Sequence, residues 1–299
     1  MMKIKNPIER NWALKPGDML GVCAPSARFD TEKLSLGIQI LKKLGFKVKV
    51  PEEIFNKKRY LAGDDSVRAN VVNRLFSDSD VDGIICARGG FGAIRILDHL
   101  NWNNIRQNPK PFIGFSDNTA ILMAIMAETG GPVVHGPNVV SFADAPEETI
   151  DAFYQTLTGK THKIDIKNRQ AIKPGRCAGI LKGGNLSTLS HLLGTVFQPD
   201  FKETVLFLED VGEPAYKIDR MLTQMKMAGL FERIRGVITG SFENCDNNEY
   251  VREILFEIFD GYNVPILSGL DSGHGKVNLS ICMGTRIEMN TEPATICWT

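Results

Sequence analysis

Short apolar segments alternate with amphipathic ones throughout the first half of the chain, and this alternation restricts the possible folds more than any other feature. These segments predict buried strands at 19–24 and 81–86, an alternating strand at 46–50, and short strands at 111–114 and 132–135. Between them, apolar residues at helical spacing predict helices at 34–44, 67–76, 93–100 and 118–128. Strands alternating with helices across short Gly/Pro turns indicate an α/β fold with a doubly wound parallel sheet, which binds ligands at the carboxyl ends of its strands.

The second half of the chain begins after a change in composition. A predicted helix at 147–157 leads into a polar, basic stretch at 159–169, which is the candidate linker. The division into domains is therefore predicted as 1–165 and 166–299. In the second domain the sequence predicts strands at 204–208, 236–239, 264–266 and 285–289, and helices at 216–228 and 251–259.

Composition excludes several classes of function. The chain has 299 residues with 35 basic and 35 acidic side chains, and a balanced charge argues against a nucleic-acid binder and for a small-molecule partner. Neither a signal peptide nor an apolar run of membrane-spanning length is present, so a cytoplasmic protein is expected. The six cysteines favour buried, reduced thiols, and the five histidines lack the spacing of a zinc site, so no metal is expected.

Ser116 stands where a predicted strand meets a predicted helix, in the segment Gly114-Phe-Ser-Asp-Asn-Thr119. A hydroxyl on such a turn lies beside the free N–H groups of a helix start, which can stabilise an oxyanion. This pattern is typical of a nucleophile. It is equally typical of a helix N-cap, which the local sequence alone favours.

Three further segments carry candidate residues. Arg88 and Gly90 follow the strand at 81–86, and they suggest a carboxylate-binding guanidinium and an oxyanion donor, or else an ion-pair partner and a plain turn. Glu209, ahead of Asp210 and Glu213, leaves a buried strand and is the best candidate to orient a histidine, although a solvated loop would look similar. His274 lies between two glycines, a pattern typical of a base or of an exposed turn. His191 is interpreted as a core residue on an apolar helix face.

Motifs spread over most of the chain resemble those of the LD-carboxypeptidase (muramoyltetrapeptide carboxypeptidase) family of serine peptidases, which also includes microcin-C self-immunity proteins. They lie in family order between about Lys15 and Glu288: Ala24-Pro-Ser26, Ala87-Arg-Gly-Gly90, Gly114-Phe-Ser-Asp-Asn-Thr119, His135-Gly-Pro137, Gly183-Gly-Asn-Leu186, Leu208-Glu-Asp210, Ile218-Asp-Arg220 and Gly273-His274. The resemblance implies a flavodoxin-like N-terminal domain followed by a smaller α/β C-terminal domain.

The resemblance also implies an activity and its residues. Ser116 would be the nucleophile, Glu209 the triad acid and His274 the base, with the N–H groups of Asp117 and Gly90 as the oxyanion hole. The implied reaction removes the terminal D-Ala of murein tetrapeptide by cutting an L,D-amide bond, without a cofactor or metal, in a cytoplasmic enzyme that is often a homodimer. The alternative within the family is cleavage of aminoacyl-nucleotide amides by an immunity-type hydrolase. Outside it, the alternatives are a two-lobed binding module and a nucleotide-dependent enzyme, and the latter lacks its phosphate motif.

Overall fold

The computed structural model describes residues 13–167 and 170–299, and it divides them into two units. The N-terminal unit contains 13–160 together with Leu279–Ile281. The C-terminal unit contains Thr161–Asn278 and Cys282–Thr299, apart from the two residues between the described ranges.

The N-terminal unit is a parallel sheet with helices between its strands. Its strands are β1 (Met19–Cys23), β2 (Lys47–Lys49), β3 (Gly83–Cys86), β4 (Phe112–Gly114) and β5 (Val133–His135), and its helices are α1 (Thr31–Lys43), α2 (Asp65–Ser77), α3 (Trp102–Gln107), α4 (Thr119–Thr129) and α5 (Glu147–Leu157). The strands pair in parallel in the order β2-β1-β3-β4-β5. This order confirms the predicted doubly wound, flavodoxin-like sheet.

Two helices show how the sequence builds this unit. The carboxylate of Asp30 accepts hydrogen bonds from two N–H groups of the first turn of α1, and Gly45, with φ 94°, follows the helix end as predicted. Helix α4 is buried from Thr119 to Met126 because it is apolar on every side. A buried helix directly after Ser116 gives that turn a rigid support.

The structure also differs from the predicted N-terminal elements. The helix predicted at 93–100 is a 3₁₀ helix at Ala93–His99, and α3 follows it unpredicted. A second unpredicted 3₁₀ helix lies at Val139–Asp144. These segments are too short to show a clear helical period in the sequence.

The C-terminal unit contains a mixed sheet of eight strands. Its strands are β6 (Lys163–Asp165), β7 (Gln170–Lys173), β8 (Arg176–Asn185), β9 (Thr204–Val211), β10 (Gly236–Glu243), β11 (Ile266–Ser268), β13 (Arg286–Thr291) and β14 (Ala294–Trp298), and its helices are α6 (Leu186–His191), α7 (Ala215–Met227) and α8 (Asn248–Phe259). Strands β8, β9, β10 and β11 are parallel neighbours, and antiparallel strands flank them on both sides. Strand β12 (Ile281–Met283) is the sixth strand of the sheet that contains β1 to β5, and it lies next to β5.

The polar stretch at 159–169 is only partly a linker, which corrects the prediction. Lys163–Asp165 forms β6, which pairs antiparallel with β14. Residues 168–169 lie outside the described residues. Lysine and aspartate in alternation look solvated in the sequence, and only pairing with a strand more than 100 positions later makes them a sheet edge.

Two expectations from the sequence concern the cysteine thiols and membrane-spanning segments. All six cysteines are free thiols, of which Cys177 and Cys297 are half-buried and the other four are buried. Among residues 13–167 and 170–299, no helix is both long and apolar enough to cross a membrane.

Gly37, inside α1, generates a stability prediction. A Cβ atom at this position would lie 1.9 Å from the backbone oxygen of Val139, so Gly37→Ala forces α1 away from its neighbour. Alanine favours a helix by about 1 kcal/mol, but overpacking costs about 1–3 kcal/mol, and a backbone contact cannot yield as a side chain does. We expect Gly37→Ala to lower the free energy of unfolding in urea denaturation. Gly261→Ala is the control, because nothing lies within 4 Å of its Cβ; an equal effect of both substitutions would contradict the close approach.

Candidate active site

Ser116 occupies a strained turn between β4 and α4. Its φ angle is 64°, in the left-handed region that residues other than glycine and asparagine rarely adopt. The 3₁₀ turn Ser116–Asn118 leads directly into α4, whose N-cap position belongs to Asn118. The cap position that the sequence allowed for Ser116 therefore falls on a neighbour. Backbone strain of about 1–3 kcal/mol is typical of functional turns, and this one matches the geometry of a nucleophile elbow.

The side chain of Asn118 fixes this turn to the ends of the neighbouring strands. Its Oδ1 accepts a hydrogen bond from the hydroxyl of Ser26 (3.1 Å), after β1. Its Nδ2 donates to the side-chain oxygen of Asn138 (3.1 Å), after β5, and to the carbonyl oxygens of Phe115 (3.2 Å) and Arg88 (3.3 Å). Asn118 is fully buried. Asn118 was not among the candidate residues predicted from the sequence, although polar residues after four strands that are adjacent in the sheet were a usable signal.

A glycine-rich loop after β3 packs against Ser116. A Cβ atom on Gly89 would lie 2.8 Å from the Cβ of Ser116, and Gly90 has φ 105°. The buried carboxylate of Asp117 accepts a hydrogen bond from the N–H of Ala93 (2.8 Å), which joins the loop to the Ser116 turn. Burial raises the pKa of Asp117, against the lowering influence of the nearby Ser26 side chain and of the backbone N–H groups of Gly92 and Ala93. The predicted oxyanion donors, Gly90 and Asp117, thus belong to segments that touch.

Arg88 lies on the exposed side of this loop. Its Nη1 donates a hydrogen bond to the carbonyl oxygen of Arg28 at 2.8 Å. Within the described part of the chain no carboxylate is paired with Arg88, so the structural ion pair considered from sequence is not observed there.

The C-terminal unit brings Glu209 and His274 together. The Nδ1 atom of His274 lies 2.7 Å from Oε2 of Glu209, whose side chain is 0% exposed, whereas 17% of the histidine side chain remains exposed. Glu209 is buried because it belongs to the run of seven buried residues, 204–210, in β9. A carboxylate in this position accepts a hydrogen bond from an Nδ1–H group. It therefore favours the imidazole tautomer in which Nδ1 is protonated and Nε2 can act as a base.

Opposing effects set the pKa values of this pair. Burial lowers the pKa of His274, but the hydrogen bond and negative charge of Glu209, with the charge of Asp210, outweigh it and raise that pKa above its ordinary value. Burial raises the pKa of Glu209, and the hydrogen bond to His274 opposes this effect. The carboxylate therefore makes the imidazole a stronger base.

The loop that carries His274 is fixed by polar contacts on both sides of the ring. The N–H of Gly273 donates to Oδ1 of Asn278 (3.0 Å), and the N–H of Gly275 donates to the hydroxyl of Ser241 (2.9 Å). Gly273 has φ 116°, and a Cβ atom there would lie 2.6 Å from Oε2 of Glu209. Glycine is thus required for the carboxylate to reach the ring.

The other acids and histidines have different environments. Asp210 accepts hydrogen bonds from the amide of Asn185 (2.9 Å) and from both the N–H (2.9 Å) and the hydroxyl (2.7 Å) of Ser187, so it supports the start of α6. Glu213 pairs with Lys217 at 3.3 Å. The interpretation of His191 as a core residue is wrong, because its side chain is exposed at the end of α6.

The structure assembles the predicted site residues in two groups. Ser116, Asp117, Gly90 and Arg88 belong to the N-terminal unit, around the ends of β3 and β4, and Glu209 and His274 belong to the C-terminal unit. Across residues 13–167 and 170–299, no group of three or more His, Cys, Asp or Glu side chains is arranged to hold a metal ion.

These features define a class: a two-domain α/β protein with a strained serine turn in one domain and a buried Glu–His pair in the other. Family models identify the particular family. The LD-carboxypeptidase N-terminal domain matches residues 20–136, and the LD-carboxypeptidase C-terminal domain matches residues 178–289. The chain belongs to the LD-carboxypeptidase family, and this membership supports peptidase, specifically carboxypeptidase, chemistry.

Relatives and solved structures agree with this assignment. A probable murein peptide carboxypeptidase of Bacillus subtilis (strain 168) is 34% identical over 95% of this chain and 92% of its own length. The solved MccF-like protein of Bacillus anthracis str. Ames is 27% identical with a TM-score of 0.88, over 95% of this chain and 97% of that one. The solved muramoyltetrapeptide carboxypeptidase of Oxalobacter formigenes is 25% identical with a TM-score of 0.81, over 94% and 97%.

The close packing at Gly273 generates a prediction about the Glu–His pair. Gly273→Ala places a Cβ against Oε2 of Glu209 and should separate the carboxylate from the ring, so the pKa of His274 should fall. The pKa is measured by NMR titration of the imidazole C–H signals. Gly194→Ala is the matched control, because φ is 74° there but nothing lies within 4 Å. An unchanged His274 titration in Gly273→Ala, in a folded protein, would contradict the assigned contact.

Proposed function

We propose that this protein is a serine carboxypeptidase that hydrolyses the L,D-amide bond before the terminal D-Ala of murein tetrapeptide. In this proposal Ser116 is the nucleophile, His274 the general base and Glu209 the acid that orients it. The observation that carries the proposal is the 2.7 Å contact between a fully buried Glu209 carboxylate and Nδ1 of His274. Such a carboxylate has its main chemical use when the ring accepts a proton.

The proposed reaction is acyl transfer in two halves. Nε2 of His274 takes the proton of the Ser116 hydroxyl as the oxygen attacks the carbonyl carbon, and Glu209 stabilises the imidazolium. The imidazolium then protonates the amine of D-Ala, which leaves. Water hydrolyses the acyl-enzyme by the same proton transfers in reverse, and no cofactor takes part.

The N–H groups of Asp117 and Gly90 are the proposed oxyanion hole. Support comes from the position of Asp117 at the start of the turn that leads into α4, where N–H groups lack partners within the helix and the helix dipole is positive. Donors of this kind are worth about 3–4 kcal/mol in the transition state. Arg88 is the proposed partner of a substrate carboxylate, since a guanidinium can hold one with two parallel hydrogen bonds.

Domain 1–165 supplies the nucleophile and domain 166–299 supplies the acid and base. As the family resemblance implies, we propose a cytoplasmic homodimer that recycles cell-wall peptides.

A second candidate function is hydrolysis of aminoacyl-nucleotide amides. The observation in its favour is the TM-score of 0.88 to the MccF-like structure, above the 0.81 to the muramoyltetrapeptide carboxypeptidase. The 34% identity to the murein peptide carboxypeptidase of Bacillus subtilis favours the first candidate.

The decisive experiment offers both substrates to the purified protein and follows the products by mass spectrometry. We expect free D-Ala from L-Ala-γ-D-Glu-diaminopimelate-D-Ala, undiminished by a chelator. Ser116→Ala should reduce the rate by about four orders of magnitude or more, because the nucleophile is lost while the binding groups remain. Intact tetrapeptide alongside cleaved aminoacyl-sulfamoyl adenylate would transfer the assignment to the second candidate.

The Glu209–His274 pair predicts a pH dependence. The base must be neutral, and Glu209 raises the pKa of His274, so kcat/KM should increase with pH through a midpoint above the ordinary histidine value of about 6.5. Glu209→Gln should lower kcat by about three to four orders of magnitude, since an amide does not stabilise the imidazolium. Glu213→Gln is the matched control and should change little. Equal rates for the two variants would exclude Glu209 as the orienting acid.

A further inference from the structure

A surface of the N-terminal unit combines exposed aromatic rings with arginines. Tyr60 and Phe91 are 49% and 45% exposed, and their ring centroids are 5.9 Å apart in an edge-to-face arrangement. The guanidinium of Arg59 lies over the Tyr60 ring, 5.7 Å from its centroid. We call Arg59, Tyr60, Arg88 and Phe91 the Tyr60 rim. Contiguous exposed apolar surface is a feature of binding sites.

A chain of contacts connects the rim to the Ser116 turn. The N–H of Arg28 donates to the carbonyl oxygen of Tyr60 (3.0 Å), and the carbonyl oxygen of Arg28 accepts from the Arg88 guanidinium (2.8 Å). Phe91 follows Gly90 in the loop whose Gly89 packs against Ser116. The rim is therefore an extension of the surface around Ser116.

The tip that carries Arg59 and Tyr60 is a tight hairpin turn. The N–H of Lys58 donates to the carbonyl oxygen of Leu61 (3.1 Å), and the N–H of Leu61 donates back (2.9 Å), which leaves only two residues in the connection. Arg59 has φ 57°, where glycine or asparagine would be relaxed. An arginine in a strained position at an exposed tip indicates a use for its side chain.

The rim is positively charged in a chain of zero net charge. Within 13–167 and 170–299, no ion pair involves the following four cations of this surface: Arg28, Lys57, Arg59 and Arg88. Lys58 is neutralised by Asp64. Local excess of positive charge beside apolar rings fits an anionic ligand with an aliphatic or amide surface.

We propose that the Tyr60 rim is a subsite for the acidic part of the peptide substrate, away from the scissile bond. The inference rests on the proposed function, because the occupant is the stem peptide itself: a γ-linked D-Glu leaves its α-carboxylate free to meet Arg59 and Arg88. The rings of Tyr60 and Phe91 pack against the adjacent amide and aliphatic groups. Charge complementarity selects this occupant over a neutral peptide.

The experiment compares two probes: L-Ala-γ-D-Glu-diaminopimelate-D-Ala and the same peptide with the D-Glu α-carboxyl amidated. The variants are Arg59→Asn, which suits the left-handed turn, and Tyr60→Ala. Lys47→Gln is the matched control, since it removes an exposed cation from β2 in the same unit. Each peptide is assayed by D-Ala release, and affinity is measured separately by calorimetry.

We expect Arg59→Asn and Tyr60→Ala to raise KM for the acidic peptide about three- to tenfold with kcat retained, and Lys47→Gln to leave KM unchanged. The effect of Arg59→Asn on KM should vanish with the amidated peptide, because that peptide has no D-Glu α-carboxylate for Arg59 to bind. Higher salt should weaken binding of the acidic peptide to the wild type more than to Arg59→Asn.

Two outcomes would overturn the subsite without affecting the proposed function. The first is D-Ala release with the same KM in Arg59→Asn and wild type. The second is a changed oligomeric state in Tyr60→Ala with KM unchanged, which would make the rim a contact between copies of the chain. Failure of the wild type to release D-Ala would instead overturn the proposed function. Calorimetry then decides the subsite by itself: weaker binding of the acidic peptide to Arg59→Asn supports it, and equal or no binding overturns it.

Discussion

The buried side chain of Asn118 is the interaction on which the N-terminal part of the site depends. Its one amide contacts Ser26, Arg88, Phe115 and Asn138, which follow β1, β3, β4 and β5. A buried amide without partners costs about 1–3 kcal/mol, so the strand ends must keep the positions that satisfy it. The strained conformation of Ser116 persists because this network and the apolar helix α4 over-determine it.

The C-terminal part of the site follows the same principle with a charge in place of an amide. Glu209 is placed in the interior by a strand in which the four preceding residues, 205–208, are apolar and buried, and its carboxylate is stabilised there by His274. Burial of the Glu209 carboxylate is costly unless the charge has a partner, and this requirement makes the contact with His274 specific. At an exposed position, water would screen the carboxylate and weaken such a contact. The requirement for glycine at 273 is a direct consequence, because the carboxylate occupies the space of its side chain.

Local patterns in the sequence were sufficient for the strands of the flavodoxin-like sheet and for helices such as α1, α4 and α5, since α1 and α5 have a clear apolar period and α4 is a continuous apolar run. They failed where structure depends on distant partners. Strand β6 looks polar until β14 pairs with it, and the predicted core residue His191 is exposed because α6 ends there. Asn118 looks like an ordinary helix cap in sequence, and its role requires four segments that only the folded sheet brings together. Ser116, Glu209 and His274 were selected from local context and family resemblance, and they stay predictions as a triad.

Burial raises the pKa of Glu209 and Glu209 raises the pKa of His274, and both effects have the same cause: the Glu209 carboxylate lies in the protein interior. In the interior a negative charge is screened little, so it acts strongly on the neighbouring ring. The carboxylate is destabilised until a positive charge forms beside it, and that charge forms only when the imidazole takes a proton. Interaction energy is therefore greatest in the state that a proton-accepting base passes through, and smaller in the resting state. A stabilisation that grows during the reaction is the kind that accelerates it.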